Sequence, residues 1–131
     1  MIDVEADVFN YVYPRVSPLV PKGCFKSVYL PAPPAFPFAT LYEVDSYTTP
    51  RMWGTTDSET HATLTYEANV YAEDKYECKD IMSAIDTAMH ELNFRRTMMQ
   101  SIPNLADSTL FRLTARYTAV ADANKTMYRT Y

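Results

Sequence analysis

The side chains best suited to acid–base, nucleophilic or metal chemistry are His61, His90, Cys24 and Cys78. His61 opens an alternating segment and His90 lies on the polar side of a helical one. Neither has a second His or Cys at a metal-binding spacing such as HxxxH, so both are expected to face solvent. Cys24 and Cys78 lie far apart with no Cys-x-x-Cys, which predicts two reduced, partly buried thiols. Ser and Thr are abundant, yet no GxSxG elbow surrounds any of them. The only glycines are Gly23 and Gly54, so no glycine-rich phosphate loop or dinucleotide fingerprint can be written. Glu73, Asp74, Glu77 and Asp80 cluster where a helix should begin and complement its dipole. From these residues the expectation is no catalytic site, no cofactor and no metal centre: not an enzyme.

What remains is the chemistry of contact. The chain has 11 Tyr and 7 Met, residue types common on adaptable binding surfaces and also used in cores. Arg51, Met52 and Trp53 sit together in a polar loop of about a dozen residues, a length that favours function over mere connection. Arg and Trp are the types that most often carry binding energy, although Trp53 could equally tuck beneath its own loop. Arg95, Arg96, Met98 and Met99 put two cations beside two flexible apolar side chains just after a helix. They read either as a partner-facing segment or as a helix-to-strand connection whose Met residues fill the core edge.

The elements that must position these residues are legible from periodicity. HATLTYEANVYA, 61–72, alternates Ala62, Leu64, Tyr66, Ala68, Val70 and Ala72 with polar neighbours, the period of a strand with one buried face. TLFRLTARYTAV, 109–120, repeats the pattern, and its Arg112 or Arg116 could pair with Glu67 if the two strands are neighbours. FATLYEVDSY, 38–47, is rich in aromatic and β-branched residues and reads as a first long strand, delivered by the stiff stretch PAPPAFP, 31–37. Between the two alternating strands, Ile81, Ile85, Ala88, Met89 and Leu92 mark one face of a helix. Asp74 and Glu77 resemble a capping box, and Asn93 stands where a left-handed C-cap belongs. Val4, Val8, Phe9 and Val12 mark an N-terminal helix over 2–13, which Pro14, Pro18 and Pro21 should stop or kink. The turn 121–125 leads to a short last strand.

The order is helix, strand, strand, helix, strand, strand: an α+β single domain over residues 1–131. The expected sheet is antiparallel, with 38–46, 61–72 and 109–120 as strands and helix 77–92 packed on Leu64, Tyr66, Val70, Leu113 and Tyr117. With 47% hydrophobic and 21% charged residues, 131 residues can bury one core. Twelve basic against sixteen acidic residues leave a charge of −4, which argues against general nucleic-acid binding. The acidic N-terminus MIDVEADVFN and the absence of any long apolar run predict neither Sec-type export nor a membrane span.

Taken together, the N-terminal helix, the strand FPFATLYEVDS, the long polar loop, the strand TLTYEANVYAED, the helix and the run NFRRTMMQSIPNLADSTLFRLTARYTA resemble the tail terminator (tail completion) proteins of long-tailed bacteriophages. The resemblance spans nearly the whole chain. It implies a structural virion protein, made in the host cytoplasm and placed at the head–tail junction. Identical subunits would form a ring, six-fold in that family, that caps the tail tube, stops its elongation and joins the head connector. The implied partners are other copies of the chain, the major tail tube protein and the head–tail connector protein, with genome DNA passing through the channel without sequence-specific binding. Other classes remain: a neighbouring neck, head–tail joining or baseplate component, or a small cellular protein-binding module.

Overall fold

Two segments of helix and six strands appear in the computed structural model, which describes residues 2–28, 35–48, 61–102 and 110–129. Helix α1 is Glu5–Val16, followed by a short 3-10 turn, Ser17–Leu19; helix α2 is Lys75–Glu91. The strands are β1 Phe25–Lys26, β2 Phe38–Thr48, β3 His61–Ala72, β4 Arg95–Ile102, β5 Phe111–Asp122 and β6 Met127–Arg129. They form one sheet in the order β1-β2-β3-β5-β4, with β6 pairing the far end of β5. All pairings are antiparallel except β1 with β2. The α+β class and the three long central strands agree with the alternation in the sequence.

Both helices cover one face of the sheet. Val4, Val8, Val12 and Val16 bury the stripe of α1, and Cys78, Ile81, Met82, Ile85, Ala88 and Met89 bury that of α2. They close over Leu41, Leu64, Tyr66, Val70 and Tyr117, all no more than 1% exposed, while Leu113 is half-buried at the margin. Helix α1 does not stop at Pro14 but carries it inside the last turn. Pro14 is exposed, so its ring takes no space from the core; it leaves one helical hydrogen bond unmade. Helix α2 starts two residues before the expected 77. Asp74 caps it by accepting from Tyr76 N–H at 3.0 Å, one residue short of the capping-box partner. Asn93 takes the left-handed conformation, φ 69°, as expected of a residue just past a helix end.

Residues 95–102, read from sequence as part of a helix-to-strand connection or a partner-facing segment, form the edge strand β4. RRTMMQSI shows no alternation because neither of its faces is fully covered, and a bulge between Arg96 and Met98 shifts its phase. The helix-free face of the sheet is also less exposed than alternation implies. Thr40, Asn69 and Thr114 lie on it at 0%, 0% and 3% exposure.

Candidate subunit and partner interface

Of the residues singled out for contact, Arg95, Arg96, Met98 and Met99 come together on β4, whereas Arg51, Met52 and Trp53 lie outside the described residues. Arg95, Arg96 and Met99 are exposed and Met98 is half-buried. As an edge strand, β4 turns every second N–H and C=O away from β5, the arrangement that accepts another chain most readily. On the helix side, Arg96 Nη1 approaches Asp86 Oδ1 at 3.3 Å, and Tyr117 donates its hydroxyl to the same oxygen at 3.0 Å. This pair separates two hollows between α2 and β4. One, about 230 Å³, is lined by His90, Phe94 and Tyr117; the other, about 250 Å³, by Lys79, Met82, Met99 and Leu113.

Toward the opposite edge of the sheet, on the same helix side, lies an acidic group that periodicity did not reveal. Glu5, at the start of α1, accepts the backbone N–H of Glu43 on β2 at 2.7 Å. That contact sets the charges of Glu5 and Asp3 near Glu43, which also feels Asp45 two residues along the strand. Burial first, then the charges of Glu5, Asp3 and Asp45, push the Glu43 carboxyl up to about 7. Two buried atoms here have no hydrogen-bond partner: Glu43 Oε1 and the hydroxyl of Tyr66, whose residue is 1% exposed. Burial and the nearby Glu43, Glu5, Asp3 and Asp7 push the Tyr66 phenol far up. The missed signal was the register: only the pairing of Glu43 with Tyr66 shows that this acid turns toward the helices.

On the helix-free face a polar network is built around Asn69. Its Oδ1 accepts from Thr114 Oγ1 at 2.7 Å and Arg112 Nη2 at 3.0 Å. Its Nδ2 donates to Glu67 Oε2 at 3.2 Å, and the Tyr42 hydroxyl also donates to that carboxylate. The expected cross-strand pair is present, Arg116 Nε to Glu67 Oε1 at 3.2 Å. Burial raises the Glu67 pKa, but the bonds from Tyr42, Asn69 and Arg116 outweigh it and leave the carboxyl below its usual range. The Arg112 guanidinium also lies over the Tyr71 ring at 5.3 Å. Such a network rigidifies the sheet face; it holds one carboxylate against two guanidiniums, and Arg112 Nε is buried without a partner.

His90 is exposed, as expected, and lines the smaller hollow. His61 departs from expectation: it is half-buried, with Nδ1 unpartnered and its ring 6.3 Å from that of Tyr128. Both thiols are unpaired and buried more fully than expected. Burial pushes Cys78 up to about 11, and its Sγ bonds the Val70 carbonyl at 3.3 Å, a setting that suppresses thiolate reactivity. Among the described residues no group of three or more His, Cys, Asp or Glu is placed to hold a metal ion, and no helix is long and apolar enough to cross a membrane. A scan against protein-family models gives no match, and a search of the curated proteins gives none either.

Proposed function

We propose that this chain is a structural virion subunit of the tail-terminator kind. It forms a ring of identical copies that caps a tail tube, halts its growth and joins the head connector. The reading comes from the sequence resemblance, and one structural observation supports it above others. The 95–99 segment, with Arg95, Arg96, Met98 and Met99, lies on an exposed edge strand rather than in a covered connection. A ring subunit needs two unlike lateral surfaces, and a strand at the edge of the described sheet would provide one of them.

The same edge also favours a second reading, a module that binds an extended segment of another protein by strand addition. Light scattering separates the two: a ring former gains mass with concentration or on tail tubes, whereas a module stays monomeric. Trp53→Ala is a further test, of the segment 47–60 that the sequence reads as a loop and whose first two residues end β2. Its circular dichroism and melting temperature are expected to match the parent while capping of tail tubes weakens. Unfolding of that variant would place Trp53 in the core instead. Absence of the protein from purified tails would end the virion reading.

A further inference from the structure

The strand register aligns two acids on one side of the sheet with two arginines on the other. Glu43 pairs with Tyr66, Tyr66 with Tyr117, and Tyr117 with Arg96, so these four residues form one row across β2, β3, β5 and β4. The next row runs Asp45, Thr65, Thr118, Arg95. Residues in one row share a face, so Glu43 and Arg96 lie on the helix side and Asp45 and Arg95 on the other. Three successive antiparallel pairings also leave β2 and β4 running in opposite directions. A second copy moved sideways without being turned over therefore brings its β4 antiparallel to β2, at the height where acid meets arginine on both faces.

The acidic side is also incomplete by itself. Glu43 Oε1 and the Tyr66 hydroxyl are buried without partners, and Glu43 feels the negative charges of Glu5 and Asp3 and, from the other face, Asp45. A guanidinium offers the donors that Glu43 lacks. On the basic side, Arg96 Nη1 makes an exposed pair with Asp86, a contact worth about 1 kcal/mol or less and readily exchanged, and lies 3.8 Å from Met99 Sδ. Because β1 pairs with Ala39 and Thr40, and Glu5 takes the Glu43 N–H, the contact is made by side chains at those positions. Val44, Asp45 and Ser46 beyond them are exposed.

We propose that a second copy of this chain docks its β4 edge against the β2–α1 edge, with Arg96 and Arg95 of one copy meeting Glu43 and Asp45 of the next. The contact is head-to-tail, the type that closes into a ring. This inference rests on the ring reading and names the surfaces by which the ring closes.

Three variants test it together: Arg95→Glu/Arg96→Glu, Glu43→Lys/Asp45→Lys, and Asp45→Cys/Arg95→Cys. Each charge-reversed variant is expected to lose self-association, by about tenfold or more in dissociation constant, while keeping its circular dichroism spectrum. Mixing the two reversed variants restores assembly, because every junction between unlike copies then pairs opposite charges. The double-cysteine chain, oxidised and run without reductant, gives a ladder of covalent oligomers; the native thiols are buried and do not contribute. A wild-type ring that survives both reversals and gives no ladder overturns the proposed contact while leaving the ring reading intact. A wild-type chain that stays monomeric, alone and with tail tubes, overturns both. A ladder that stops at dimers signals a two-fold contact and also overturns the proposal. Should the lysine variant misfold, the ladder decides by itself.

Discussion

Asn69 uses both ends of its amide, accepting from Thr114 and Arg112 and donating to Glu67, in a position with no exposed surface. Replacing it by Ala strips partners from a buried hydroxyl and a guanidinium at once. Asn69→Ala is expected to cost about 2–3 kcal/mol, read from urea unfolding, with little loss of helix. Glu43 has the opposite character, a carboxyl that folding places badly. Its pKa rises from 4.5 to about 7, so the folded chain holds a proton that the unfolded chain releases. Stability contributed by the protonated form is present below about 4.5 and is lost as the pH rises through 7. Glu43→Gln should flatten that slope and stabilise the chain at pH 8 by about 1 kcal/mol, allowing for solvent screening. Of these two groups neither was visible in the sequence. Alternation sufficed to suggest the Glu67–Arg116 pair, because both residues lie on plainly polar faces. Asn69 and Glu43 become distinctive only through register and burial, which no spacing along one strand encodes.

The elements show the same division between what a local pattern carries and what packing decides. β3 and α2 were legible because each has one face fully covered, so burial is written into the period. β4 was not, since an edge strand that is exposed on most of both faces has no reason to alternate, and its bulge breaks whatever phase remains. α1 was found but ended too early, because the proline rule is local. Val12 and Val16 are both buried, and that packing carries the helix past Pro14. The proline still removes one helical hydrogen bond. Pro14→Ala is therefore expected to raise stability by about 1 kcal/mol, part of the gain in helix being offset by the greater freedom of the unfolded chain. Thermal unfolding at neutral pH checks this; a lower melting temperature would mean that the ring itself packs usefully against its surroundings.

Across the whole molecule, the sheet separates charge. Acids gather where α1 meets β2, and arginines lie on β5 and β4 at the other side. For a chain of net charge −4, the proposed docking would let copies attract one another side to side despite repelling overall. It also opposes two equilibria that are usually read together. Protonating Glu43 relieves its crowding by Asp3, Glu5 and Asp45 and favours the folded monomer. The same proton removes a charge that an incoming arginine needs. The other groups facing this corner are the Tyr66 hydroxyl, un-ionised at neutral pH, and Asp7, which is paired with Lys125 at 3.6 Å; neither substitutes for Glu43. Self-association is therefore expected to strengthen as the pH rises from 6 to 8, while the unfolding midpoint of the monomer falls over that window. Glu43→Gln should abolish most of both slopes, leaving a more stable chain that assembles weakly at every pH. Sedimentation velocity and urea unfolding across that range measure the two quantities separately. Slopes of the same sign, or a Glu43→Gln chain that assembles as well as the parent at pH 8, would show that this carboxylate does not face a neighbouring copy.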